Sequence, residues 1–283
     1  MNTRTPTVVL EGLAFPEGPR WHDGNLIFSD QHNRRVVRMD PSGKAETLVE
    51  VPQQPSGIGW LPDGRMLVVS MLDRRLLRLE GSQLVEHADL STLATGECND
   101  MVVDSRGRAY VGNFGFDLYG GEEARETCII LIEPDGTTRV AADGIGFPNG
   151  SVITDDGRTL IVAESYGGRL IAFRITDDGL LVERRVFAQL EGAIPDGICL
   201  DAEGAVWLAC PVTGRVLRVR DGGEVLDEIK VTNAGAYACM LGGEDRRTLY
   251  MCTAASSDPK ETVSLASGRI EVIAVDVPGA GLP

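Results

Sequence analysis

The sequence predicts an all-β protein, a six-bladed β-propeller, on three observations. Apolar runs are short, rich in Val, Ile and Leu, and bounded by Asp-Gly, Pro and Asn-Gly signals. Glycine is frequent, at 34 of 283 residues, while aromatic residues make up 5%. One unit recurs six times, at a spacing that suits a four-stranded blade.

The copies begin at Phe15 (FPEGPRWHDGNLIFSD), Gln54 (QPSGIGWLPDGRMLVVS), Glu97 (ECNDMVVDSRGRAYVGN), Phe147 within GFPNGSVITDDGRTLIV, Ile194 (IPDGICLDAEGAVWLAC) and, more weakly, Tyr237 (YACMLGGEDRRTLYMCT). Their third positions align Glu17, Ser56, Asn99, Asn149, Asp196 and Cys239. A turn glycine follows eight residues later in four copies (Gly64, Gly107, Gly157, Gly204) and seven later in the first (Gly24); Arg247 takes that place in the sixth. The intervals between aligned positions are 39, 43, 50, 47 and 43 residues. Each holds about four short strands. In the first unit these are roughly Gly18–Trp21, Leu26–Ser29, Arg35–Met39 and Ala45–Val49. The repeat runs through the chain without a linker, so residues 1–283 read as one propeller domain. The sixth unit supplies little beyond a third strand near Gly268–Val277. The spare strand Thr7–Glu11 is therefore expected to complete it from outside and protect its edge.

Composition bounds the function. A formal net charge of −15 argues against nucleic acid or an anionic membrane surface as partner. The N-terminal stretch lacks the apolar core of a signal peptide, and no stretch approaches the ~18 apolar residues needed to cross a bilayer. The six cysteines form no CxxC pair and read as buried free thiols in a reducing cytoplasm. Oligomeric state is left open.

In a propeller the first strand of each blade lines the central channel, so the aligned residues should ring one mouth. The loops between second and third strands open on the same face. They carry Asp30–His32, Met71–Asp73, Asn113–Asp117, Tyr166, Pro211–Val212 and Ala254–Ser257. The ring offers one Glu, one Asp and two Asn. Carboxylates converging on a narrow channel repel and resist desolvation, and a hard cation resolves both costs. Such oxygen donors suit Ca²⁺ first, with Mg²⁺, Mn²⁺ and Zn²⁺ also candidates. The alternative is that Asn and Asp merely cap turns before strands. Of the histidines, His22 belongs to the far face, His87 to an outer strand and His32 to the site face. No nucleophile elbow or phosphate loop competes.

The stretches FPEGPRW, CNDMVVDSRGRAYVGN, FPNGSVITDDGRTLIVAES and IPDGICLDAEGAVWLA together resemble the senescence marker protein/gluconolactonase/luciferin-regenerating family, the regucalcin-like lactonases. The resemblance implies one divalent metal in the channel, with ligands at Glu17, Asn149 and Asp196. It places Asn99, followed by Asp100, near metal and substrate, and makes Asp196 the base that activates water. Sugar-lactonase members often carry Arg where this chain has Glu97, and the loop NFGFDLYGG is rich in aromatics. Acidic sugar lactones are thereby disfavoured. A neutral sugar lactone stays open, and a less polar lactone or ester is at least as well matched. Phe114, Phe116, Tyr166, Met71 and Pro211 are the expected apolar wall, with Glu97 and His32 beside it. Two other readings use the same residues: hydrolysis of an organophosphate triester, and a non-catalytic Ca²⁺- or ligand-binding propeller.

Overall fold

The computed structural model describes residues 4–282. Among these, the chain forms six antiparallel sheets in sequence order, and each innermost strand packs on the next, the last on the first, closing a ring. Blade 1 comprises Pro16–His22, Asn25–Asp30, Arg35–Met39 and Ala45–Glu50. The other innermost strands are Pro55–Trp60, Cys98–Val103, Pro148–Ile153, Ile198–Asp201 and Gly235–Gly242.

The turns are sharp because their last residue is left-handed. Gly64 (φ 86°), Gly107 (83°), Gly157 (67°) and Gly204 (75°) hold that place. The channel is narrow because glycine follows the ring residue in four blades. A Cβ on Gly57 would come 2.3 Å from the Met101 nitrogen, and one on Gly150 2.5 Å from the Ile198 nitrogen. Between blades the faces are apolar: Leu26, Phe28, Trp207, Tyr250 and Ile270 share one buried cluster.

Segments near both ends of the described residues join the ring. Thr7–Leu13 pairs antiparallel with Gly268–Ala274 as the outer strand of blade 6, two residues longer than the sequence suggests. The C-terminal Gly279–Ala280 pairs with Ile198–Asp201, giving blade 5 a fifth strand, and Leu282 bridges to Ile153 in blade 4. The sequence reading does not anticipate this second strap.

Blade 6 corrects the repeat alignment. Inner strands bulge at the ring residue: the register shifts between Pro55 and Ile58, Cys98 and Met101, Pro148 and Ser151. The blade 6 shift lies between Ala236 and Ala238, so Tyr237 occupies the ring position. Its left-handed turn residue is Arg246 (φ 56°), not Arg247. The strand between them is one residue longer than in its relatives, which hides the match. Cys239 is 1% exposed, and its sulfur stands 3.8 Å from that of Cys199.

Candidate functional site

The inner strands deliver Glu17, Asn99, Asn149 and Tyr237, and the segment just before the fifth delivers Asp196, to a cavity of about 160 Å³ at one mouth of the channel. Phe15, Phe114, Phe147, Leu118, Tyr119 and Pro211 wall it. Among the described residues the wall includes no Lys or Arg, so the two carboxylates stand without a cation.

That imbalance shows in their protonation. Burial, then repulsion from Asp196, holds the Glu17 carboxyl well above its ordinary pKa. Burial raises Asp196 from 3.8 to about 8, against the pull of the Asn149 amide, with Asp100 adding to the rise. Glu17 accepts a hydrogen bond from its neighbour, the Gly18 N–H, at 3.0 Å.

The amides are oriented by a relay around the mouth. Gln31 Nε2 donates to Ser56 Oγ (3.3 Å), and Ser56 Oγ to Asn99 Oδ1 (3.4 Å). Asn99 Nδ2 then donates to Asn149 Oδ1 (3.1 Å), and Asn149 Nδ2 to Ser165 Oγ (3.3 Å). Ser165 Oγ donates to the Pro195 carbonyl at 2.7 Å. Having given its only proton to Pro195, Ser165 accepts from Asn149, which fixes which end of that amide is the acceptor. Gln31 and Ser165 each open a 3₁₀ turn, Gln31–Asn33 and Ser165–Gly167.

The floor is a buried ion pair. Arg20 Nη2 meets Asp100 Oδ1 at 2.6 Å, with side-chain exposures of 3% and 10%. The guanidinium also donates to the carbonyls of Ile58 (2.9 Å), Pro19 (2.8 Å) and Met101 (2.6 Å), tying the first three inner strands together.

Other residues expected at the site stand behind it. His32 stacks on Phe15 (ring centroids 5.0 Å) and hydrogen-bonds Thr262 Oγ1 through Nδ1 (2.6 Å), so Phe15 separates it from the cavity. Thr262 comes from the helix Pro259–Leu265, capped by Asp258, which the sequence reading leaves as loop. Met71 and Phe116 are packed into a buried cluster between blades. Tyr166 is 50% exposed and stacks on Phe116 at 5.6 Å, outside the cavity wall. Glu97 stands behind the wall, where burial and Asp117 raise its pKa and its Oε2 has no hydrogen-bond partner among the described residues. Sequence reasoning misses Phe15, Phe147 and Tyr237. Phe147 holds a left-handed φ of 59° before Pro148 and stacks on Phe114 at 4.5 Å. A bulky residue there stores strain of about 1–3 kcal/mol, common at ligand sites. The repeated Phe-Pro pairs at 15–16 and 147–148 were its visible signal.

The donor set fits a hard divalent cation: two carboxylates with free lone pairs, and amides held by a relay. Among the described residues, no three or more His, Cys, Asp or Glu side chains cluster as a metal site. The fit therefore rests on amide as well as carboxylate oxygens.

A closed six-bladed propeller with an acid–amide cluster in an aromatic mouth is the class that fold and site define. The chain belongs to the SMP-30/gluconolactonase/LRE-like family, whose family model matches residues 15–255. It is 27% identical to the 6-deoxy-6-sulfogluconolactonase of Pseudomonas putida, over 100% of this chain and 99% of that one. It is 26% identical to the regucalcin of Xenopus laevis, over 96% and 95% of the two chains. Its fold matches that of a calcium-binding regucalcin from Agrobacterium tumefaciens with a TM-score of 0.83 and 21% identity, covering 99% and 97% of the chains. Among the described residues no helix is long and apolar enough to cross a membrane.

Proposed function

We propose that this protein hydrolyses a lactone at the channel mouth with the help of one divalent cation, Ca²⁺ first among the candidates. The observation that carries the reading is the buried, uncompensated pair Glu17 and Asp196 beside amide oxygens in a cavity. Family membership and a relative named as a gluconolactonase support the reaction class. Glu17, Asn149 and Asp196 would hold the cation. When bound, it supplies a Lewis acid that polarises the substrate carbonyl and offsets charge developing on its oxygen.

The protein's own groups do the rest. Asp196 stands in the cavity lining, where a carboxylate oxygen left free by the cation would take the proton of the attacking water. Asn99, fixed between Ser56 and Asn149, orients the substrate. Phe15, Phe114, Phe147 and Tyr237 exclude bulk water and pack on the ring. A cavity of about 150 Å³ holds a benzene. The 160 Å³ here therefore suits a five- or six-membered lactone with few substituents. Aromatic walls without a cation, and Glu97 behind them, favour a neutral substrate of low polarity over an acidic sugar lactone.

The test is metal analysis of the purified protein followed by turnover of a lactone panel with and without chelator. Asp196→Ala and Glu17→Gln should abolish cation-dependent hydrolysis. Full activity in either variant would refute the assignment. Cleavage of paraoxon but of no lactone would select the phosphotriester reading. Tight Ca²⁺ binding without turnover of either would select the non-catalytic one.

A further inference from the structure

The opposite mouth of the channel holds a second and larger cavity, about 340 Å³. It lies where the inner strands of blades 1 to 3 end, and Trp21, His22, Trp60 and Val103 wall it. Arg246, from the blade 6 turn, and Leu282, from the C-terminal strap, close its rim. None of these residues lines the cavity proposed above, and Arg20, which bonds Asp100, lines this one.

The aromatic walls are held in place before any ligand arrives. The Trp60 indole stacks on His22 with ring centroids 3.8 Å apart and planes within 6°. Trp21 stacks on Tyr250 at 5.4 Å and 21°. Gly59 also lines the cavity, and Val103 packs directly on it, since a Cβ there would meet Val103 Cγ2 at 2.5 Å. A flat, rigid, apolar slot of this kind favours a planar ring.

The charge at the rim adds a second requirement. Among the described residues, the buried Arg246 Nε has no hydrogen-bond partner. That Nε packs beside the Gly279 backbone, where a Cβ would lie 3.1 Å from both Nε and Nη2, while the rest of the Arg246 side chain lines the cavity. The other guanidinium in the lining, Arg20, spends its donors on Asp100 and three carbonyls. Among the described residues Arg246 is thus the lining guanidinium left without a partner, and a guanidinium is matched best by a carboxylate.

We propose that this far mouth is a binding site for a small aromatic carboxylate, its rings against Trp21 and Trp60 and its carboxylate on Arg246. Since a cavity of about 150 Å³ holds one benzene, a volume of about 340 Å³ suits two fused rings.

Isothermal titration calorimetry of the full chain, loaded with Ca²⁺, tests this with 2-naphthoate and its neutral analogue 2-naphthamide as probes. Saturable one-to-one binding of the naphthoate is expected, with the amide weaker by about tenfold or more. Arg246→Gln should weaken naphthoate to the level of the amide and leave lactone turnover unchanged. Leu282→Glu, a rim substitution that offers Arg246 an internal carboxylate, should do the same. Glu17→Gln should leave naphthoate binding intact, because the site is separate from the acidic mouth. The proposal is overturned by no saturable heat up to millimolar probe or by equal affinity for acid and amide. Loss of naphthoate binding in Glu17→Gln also overturns it, by placing the acid on the cation. Because naphthoate binding is read without lactone turnover, failure here and failure of the lactonase reading are separable.

Discussion

Asp196→Asn should make the metal-free protein more stable, and increasingly so as pH rises. In the fold, Asp196 keeps its proton until about pH 8, whereas 3.8 is its ordinary value. Between those values the folded state holds a proton that the unfolded state has released. The sign follows: a raised carboxyl pKa means stability falls as pH climbs toward 8, at close to 1.4 kcal/mol per pH unit for one proton. From pH 6 to pH 8 that amounts to about 2 kcal/mol, allowing for half-ionisation at the upper end. At about 2 °C per kcal/mol for a chain of this length, the melting temperature should drop by about 4 °C. Asn carries no proton to lose, and its substitution also relieves the repulsion on Glu17. Thermal melts of chelator-treated protein at pH 6, 7 and 8 should therefore diverge between the two proteins. Saturating Ca²⁺ should reverse the order by stabilising the wild type alone. Parallel pH dependence in the metal-free proteins would refute the reasoning.

Four further outcomes follow from the same geometry. Ser165→Ala releases the Asn149 amide and should weaken Ca²⁺ about tenfold by calorimetry, as loss of an orienting partner does. Arg20→Met leaves Asp100 buried and unpaired and should cost about 3–5 kcal/mol in urea unfolding, much of it recovered by adding Asp100→Leu. Burial pushes the Glu164 pKa up, but bonds from Arg169 and the Gly146 N–H and the charge of Arg184 hold it below its ordinary value. Glu164 therefore stabilises the fold above pH ~4.3 and ceases to as pH falls through its depressed value. Glu164→Gln should remove that acid-side loss in melts from pH 6 to pH 3. Glu97→Gln removes a carboxylate behind Tyr119 and should raise kcat/KM for an acidic sugar lactone several-fold relative to a neutral one.

The propeller was legible because turn chemistry repeats at fixed spacing. A turn glycine eight residues beyond a polar residue is a backbone requirement, and the left-handed φ of Gly64, Gly107, Gly157 and Gly204 is its cause. The same spacing brought Glu17, Asn99, Asn149 and Asp196 into one set, and they do share a cavity. What failed was whatever the repeat does not encode. Tyr237 was hidden by one extra residue before the blade 6 turn. Loop side chains were assigned to the correct face, but the pattern cannot say which of them turn inward. Met71 and Phe116 fill gaps between blades, and His32 is drawn away by a threonine 230 residues later. Ser165 and Gln31 act through hydrogen bonds made only after folding.

The position after the ring residue explains how the acidic mouth is balanced. It is glycine in blades 1, 2, 4 and 5 and Ala238 in blade 6, all small enough for neighbouring strands to touch. Blade 3 places Asp100 there instead, a third carboxylate close enough to raise the proton affinity of both Glu17 and Asp196. Left alone it would give the mouth three negative charges. Arg20, three residues past Glu17, cancels it through a bond of 2.6 Å, and Met101 N–H binds the same oxygen at 2.8 Å. The remaining charge is that of Glu17 and Asp196, two negatives, which one divalent cation neutralises. The floor thus sets the charge the mouth can accept, and a tightly bonded guanidinium seals the channel beneath it.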